Sequence, residues 1–174
     1  RLFIFYILFN ANELLVKVDN SSNDRVYPQM ADFTFFGGIY RNVNLIVTNH
    51  IHFDLDYYGG PGVTVTPVVE GDVAKVTVQS YVTNYNNEDI NVDVFDAQGN
   101  VVFSKRQKAL TCEFEIKNPH LWNGVKDPYL YTCEVTLNGE EVLDNVSTRF
   151  GCRTFKIDPE EGFFLNGRKY PLHG

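Results

Sequence analysis

Glu113 and Glu115 lie two apart in an alternating run, as do Asp54 and Asp56, so each pair sets two carboxylates on one face of a strand. Paired carboxylates can divide the acid and base roles of a hydrolytic reaction. On the alternating strands of an acidic chain their ordinary place is a solvated face, and that is expected of both pairs. His50 and His52 share a face in the same way and would offer two metal ligands. No third ligand is evident nearby, so no metal site is expected. Cys112, Cys133 and Cys152 are spaced 21 and 19 apart without a C-x-x-C pair, which gives a zinc or redox centre little support. Their odd number favours free thiols in a reducing, cytoplasmic setting. Trp122, the single Trp, could stack on a sugar but is expected in the core, and Tyr57 and Tyr58 beside Gly59-Gly60 are expected on an exposed turn. No Ser-His-Asp order with a nucleophile elbow appears, and no Gly-rich phosphate loop follows a strand. No residue of the chain is therefore assigned a catalytic role.

The elements that must carry these residues are strands. At 174 residues, with 44% hydrophobic and 21% charged, the chain has the makings of a globular core. A net charge of −7 with no Lys/Arg cluster argues against nucleic-acid partners. The longest apolar run, Leu2 to Phe9, falls short of the roughly 20 residues a bilayer requires, so no membrane span is expected. Alternation of period two recurs at Val43 to Ile51, Val73 to Val82, Ile90 to Phe95, Cys112 to Ile116 and Tyr129 to Leu137. Turn signals separate these runs: Gly59-Gly60-Pro61-Gly62, Ala97-Gln98-Gly99-Asn100 and Asn138-Gly139, the last read as a two-residue hairpin. Short strands at this spacing predict an all-β fold, an antiparallel immunoglobulin-like β-sandwich over residues 48–152. Tyr131, two residues before Cys133, sits where a tyrosine corner would put its ring. Residues 1–47 and 153–174 are too short for cores of their own, and are expected to be partial β segments of neighbouring domains. Arg1 opens into apolar sequence without a basic leader, and the chain is expected to begin and end inside a longer polypeptide.

Three segments together resemble family 2 glycoside hydrolases. Asp32-Phe33-Thr34-Phe35-Phe36-Gly37-Gly38-Ile39-Tyr40-Arg41-Asn42-Val43 is similar to the end of that family's sugar-binding jelly-roll domain. Asn118-Pro119-His120-Leu121-Trp122, followed by Asp127-Pro128-Tyr129-Leu130-Tyr131, resembles the signature of its immunoglobulin-like domain. Arg149-Phe150-Gly151-Cys152-Arg153, with Phe164-Leu165-Asn166-Gly167-Arg168 and Leu172-His173-Gly174, is similar to the lead into its catalytic (β/α)₈ barrel. The loop around Asp32 looks most like the β-galactosidases, from which Thr34 departs where an aromatic is usual.

The resemblance implies a retaining hydrolase in which one glutamate protonates the glycosidic oxygen and a second attacks the anomeric carbon. Both would stand on barrel loops, which need about 250 residues of their own. Within the chain the catalytic set is then empty, and Asp32 is the one expected substrate-binding residue, its carboxylate accepting hydrogen bonds from sugar hydroxyls. The implied substrate is a terminal β-galactoside, with β-glucuronides, β-mannosides or a non-catalytic carbohydrate-binding or adhesion role as alternatives. No cofactor is expected in this chain, and any Mg or Na ion of the parent would be held by residues outside it. The implied partners are the neighbouring sugar-binding and barrel domains, and a homo-oligomer is compatible with the same reading.

Overall fold

A computed structural model of the chain describes residues 16–18, 21, 37–39 and 41–172. The chain divides into two compact units, Arg1–Ile46 and Val47–Gly174. The described residues of the first unit carry no strand or helix. No helix among the described residues is long and apolar enough to cross a membrane.

Among its described residues the second unit has twelve strands and one 3-10 turn. In chain order they are β1 (His52–Phe53), β2 (Val63–Glu70), β3 (Val73–Ser80), β4 (Val82–Thr83), β5 (Asp89–Phe95), β6 (Val101–Gln107), β7 (Thr111–Lys117), the turn Gly124–Lys126, β8 (Tyr131–Asn138), β9 (Val142–Phe150), β10 (Phe155–Asp158), β11 (Gly162–Leu165) and β12 (Arg168–Lys169). Two antiparallel sheets, β2-β3-β7 and β6-β5-β8-β9, form the sandwich. The expected all-β architecture is thus present.

The sequence alternation becomes the core directly. Ala74, Val76 and Val78 of β3 stand opposite Ile116, Phe114 and Cys112 of β7, and all six are buried. Ile90, Val92 and Val94 of β5 likewise face Leu137, Val135 and Cys133 of β8, at 0–1% exposure each. Each buried Val, Ile, Leu or Phe among them contributes about 1.5–3 kcal/mol of burial, and the two inner faces together make one continuous core. Glu113 and Glu115 occupy the outer face of β7, where Glu115 stands opposite Lys75, as expected of a solvated face. Pro67 sits in β2, an edge strand, where its missing N–H is tolerated.

Three sequence readings need correction. Val43 to Ile51 forms no strand: Val43, Leu45, Ile46 and Val47 are all 65–81% exposed. Alternation stabilises a strand only where a neighbour supplies both a ladder and a face to cover. Among the described residues only His52–Phe53 finds one, in Val82–Thr83. The run Val73 to Val82 is interrupted at Tyr81, whose N–H donates to the Gly62 carbonyl while its carbonyl accepts from the Asp54 N–H. The chain thereby leaves one sheet and pairs with β1. Asn138-Gly139 does not form a two-residue turn: Asn138 pairs with Val142, leaving a three-residue loop with a register shift beside it. A type I′ turn needs positive φ at both central residues, and neither Asn138 nor Gly139 has it. Asn166-Gly167, at φ 49° and 75°, is the turn of that kind, closing β11 onto β12.

Candidate functional site

The segment from Asn118 to Tyr131 carries a set of polar contacts, several of them to distant parts of the chain. Asn118 ends β7 in the left-handed region at φ 48°, and its N–H donates to the Asp72 carbonyl at 2.7 Å. Asparagine tolerates this conformation better than most residues. The following Pro119 directs the chain across the end of the sandwich. His120 donates its backbone N–H to the Tyr131 hydroxyl at 2.8 Å, a partner eleven residues upstream and so farther back than the few residues a tyrosine corner spans. Its ring stacks on Tyr129, centroids 3.9 Å apart, while Nε2 lies 2.7 Å from Asp127 Oδ2. The Tyr129 hydroxyl accepts the Ala97 N–H at 3.2 Å. Burial pushes the Tyr131 phenol above its usual range, so it serves as a neutral hydrogen-bonding group.

Leu121 and Trp122 then run beside the end of β9. Leu121 bridges Cys152 in parallel, and the Trp122 N–H donates to the Cys152 carbonyl at 2.8 Å. Trp122 is half-buried and absent from the core, contrary to expectation; the guanidinium of Arg153 lies over its ring, 5.0 Å from the centroid. A planar cation on an indole face is an attractive pairing that keeps one side of the ring outward.

Asn166 ties this segment to the C-terminal hairpin. Its Nδ2 donates to the Trp122 carbonyl at 3.0 Å and to Asn123 Oδ1 at 2.7 Å, and its Oδ1 accepts the Thr154 N–H at 2.9 Å. The Asn166 N–H in turn donates to the Thr154 carbonyl at 2.9 Å. On the far side Tyr170 packs on Gly124. A Cβ at Gly124 would run into the Tyr170 hydroxyl, and its φ of 68° independently favours glycine. The result is a clasp: one side-chain amide, one aromatic on a glycine and one cation on an indole hold β10–β12 against the end of the sandwich.

The three thiols are free and buried, with Cys133 pushed up to about 12 and Cys152 to about 11 by burial, and Cys112 raised by the same cause. They are protonated at neutral pH and poor as nucleophiles or metal ligands. His52 Nδ1 sits 2.8 Å from the Asn49 carbonyl, while Asn84 Nδ2 donates to the His50 carbonyl at 2.9 Å. Asp54 Oδ1 accepts the Asp56 N–H at 2.8 Å as a turn group. Tyr57 stacks on Tyr81 at 3.8 Å, and Tyr58 stands exposed beside it. Among the described residues no group of three His, Cys, Asp or Glu side chains could hold a metal ion. Asp32, the expected substrate-contacting residue, lies outside the described residues, as do Thr34 and His173. The second and third sequence segments are brought together by the fold. Sequence reading missed the roles of Asn166, Tyr170 and Gly124; the only available signals were the turn dipeptides Asn123-Gly124 and Asn166-Gly167, which mark backbone conformation but not partners.

Known proteins share this stretch. Residues 61–153 match the sequence profile of Glycosyl hydrolases family 2. The chain is similar to a β-glucuronidase of Bacteroides fragilis, 32% identical over 176 residues, covering 94% of this chain and 25% of that protein. It is also similar to a β-galactosidase of Bacteroides ovatus, 34% identical over 180 residues, covering 94% of this chain and 20% of that protein. The crystal structure of an FMN-binding β-glucuronidase from Facaelibacterium prausnitzii L2-6 superposes with a TM-score of 0.81 at 37% identity, over 88% of this chain and 24% of that one. The chain thus spans a fifth to a quarter of the length of the relatives it matches.

Proposed function

The chain belongs to the glycosyl hydrolases of family 2, and on that premise we propose that it is the positioning section of a retaining β-glycosidase. The observation that carries this reading is the clasp. Asn166, Tyr170 and Arg153 tie a short hairpin to the end of the sandwich. Rigidity of this kind matters to catalysis because a displacement of ~1 Å in a positioning group can cost about 10²-fold in rate. In the parent enzyme one carboxylic acid protonates the leaving oxygen and a second carboxylate attacks the anomeric carbon, the two groups being about 5–5.5 Å apart. Both belong to residues outside these 174. Asp32 accepts hydrogen bonds from the sugar, so Asp32→Ala lowers kcat/KM of the parent without abolishing folding.

A β-glucuronide is the glycone best supported, by the Bacteroides fragilis relative and the Facaelibacterium structure. A β-galactoside is the second reading, favoured by the loop around Asp32 and by the Bacteroides ovatus relative. The neighbouring sugar-binding and barrel domains are its partners within the polypeptide, and the three unpaired thiols support a cytoplasmic setting.

The test is to express the parent gene product and assay p-nitrophenyl β-glucuronide and β-galactoside side by side, following the first-formed anomer by NMR. Hydrolysis with retained configuration supports the reading, and the preferred substrate decides the glycone. An inverted first product, or no hydrolysis of any β-glycoside, overturns it. The 174-residue chain alone should be inactive on both.

A further inference from the structure

In β9 the residues that face the core are Val146, Thr148 and Phe150, which stand opposite the buried Val135, Cys133 and Tyr131 of β8. Asp144 is the next place in that row, opposite Leu137 at 0% exposure. A carboxylate is an unusual occupant there, because an ionised group loses free energy wherever water is withdrawn and no hydrogen bond replaces it. The replacement comes from the strand that enters the sandwich. Phe53, also at 0% exposure, donates its backbone N–H to Asp144 Oδ2 at 2.9 Å. The other oxygen accepts the Asn145 N–H at 2.8 Å. The preceding residue serves the same contact. Asp144 pairs with Leu137 and Val142 with Asn138, so Leu143 is an extra residue in β9, a bulge of the kind that re-aims a strand's side chains. Its carbonyl accepts Asn49 Nδ2 at 2.6 Å. On the opposite side Asn84 Nδ2 donates to the His50 carbonyl and the Asp54 N–H donates to the Tyr81 carbonyl, each at 2.9 Å. Residues 49–54 are thus held between β9 and residues 81–84, with Phe53 in the core. All of these partners lie within the unit Val47–Gly174.

We propose that Asp144 is a positioning residue for sugar binding in the parent enzyme: by accepting the Phe53 N–H beside the bulge, it fixes where the chain arriving from Asp32 is anchored. The inference rests on Asp32 being the sugar contact, as read above. Apolar contact is non-directional and would let an entering strand shift or tilt. A hydrogen bond to one backbone N–H is met at one distance and one angle, and so selects one register. That difference accounts for a carboxylate at the end of an otherwise apolar row. It matters to a sugar contact because a displacement of ~1 Å in a positioning group can cost about 10²-fold in rate.

The test is a double-mutant cycle in the full-length parent enzyme, with kcat and KM measured on whichever p-nitrophenyl β-glycoside it hydrolyses best. Asp32→Ala should lower kcat/KM by about 10–100-fold, the value of one charge-assisted hydrogen bond. Asp144→Ala should lower it about tenfold, and Asp144→Asn, whose carbonyl still accepts the Phe53 N–H, should stay within about threefold of the parent. The decisive member is the double variant. If Asp144 acts through Asp32, Asp144→Ala costs nothing further once Asp32 is Ala, whereas a merely structural loss would multiply with it. Should Asp144→Ala fail to fold, Asn49→Ala, an exposed position, removes the companion bond and carries the same cycle with a loss of about threefold. An Asp144→Ala enzyme within about twofold of the parent, an Asp144→Asn enzyme as impaired as Asp144→Ala, or losses that multiply in the double variant each overturn the assignment. An active parent indifferent to Asp144 ends this inference alone; a parent inert on every β-glycoside ends the proposed function with it.

Discussion

Replacing Asn166 probes the clasp most directly, because its side chain and its backbone conformation can be separated by a series of substitutions. The side chain makes three hydrogen bonds, two donated and one accepted, in a half-buried setting. At a net value of about 1 kcal/mol each, their loss amounts to roughly 3 kcal/mol. Asn166 also sits at φ 49°, where alanine pays a further ~1 kcal/mol and glycine does not. The hairpin β10–β12 contributes Leu165 to the buried set but little else, so the loss should appear as local opening rather than global unfolding. With every 1.4 kcal/mol worth a decade, amide protection over residues 155–169 in Asn166→Gly should fall about a hundredfold, and Asn166→Ala should fall further. Asn166→Asp is the decisive member. It is nearly the same shape and keeps the acceptor for Thr154, but it turns an oxygen towards the Trp122 carbonyl and Asn123 Oδ1, which previously received hydrogens. Its protection should drop at least as far as that of Asn166→Gly, while amides of β3, β5 and β8 hold theirs. Native-state hydrogen exchange measures both. If Asn166→Asp retained hairpin protection within about twofold of the parent chain, the amide would not be the tie and the reasoning would fail.

Gly124→Ala forces a Cβ into the Tyr170 phenol as well as a positive φ, and should cost about 2–4 kcal/mol in urea unfolding; an unchanged midpoint would show that Tyr170 is not seated there. Leu137→Ala removes a fully buried side chain opposite Ile90 and should cost about 2–5 kcal/mol, read from the same transition. Asp89, Asp96 and Asp158 are held below the usual carboxylate value of 3.8 by hydrogen bonds from Arg106, Asn100 and Lys156 respectively. A lowered folded value means that their stabilisation is present above pH 3.8 and is lost as pH falls through the folded values, so the melting temperature should decline across that acid window and Asp96→Asn should soften the decline. Cys112, Cys133 and Cys152 should resist a thiol reagent at pH 8 in the native chain and all react in urea; rapid native labelling would contradict their burial.

The sandwich was legible because its strands carry a clean period-two code. Cys112-Glu113-Phe114-Glu115-Ile116 states its face, and the fold reproduces that face in β7, which extends one residue beyond the run at each end. The code failed where the partner, rather than the pattern, decides. Val43 to Ile51 alternates less strictly than β5, with Leu45-Ile46-Val47 in a row, and nothing among the described residues pairs with it. Tyr81 interrupts an apolar run because two distant backbone groups, on Gly62 and Asp54, claim its N–H and carbonyl. The clasp shows the same division. The turn at Asn166-Gly167 is local chemistry and was readable. The reach of the Asn166 amide to Trp122 spans 44 positions, and no local signal encodes it. Trp122 was expected inside because the resemblance puts this position under the sandwich strands, but the exposed Arg153 guanidinium covers its face instead.

The proline in β2 has a bearing on how this molecule behaves in crowded solution. An outermost strand is a template on which another chain can zip, because its unpaired amides and carbonyls point outward in a row. Pro67 breaks that row midway by deleting one donor, and Lys105 and Arg106 put charge along β6, the opposite boundary of the assembly. Lateral stacking into fibrils is thereby obstructed along β2 and β6, two of the four sheet borders, and β7 and β9 are the borders through which another chain would have to add.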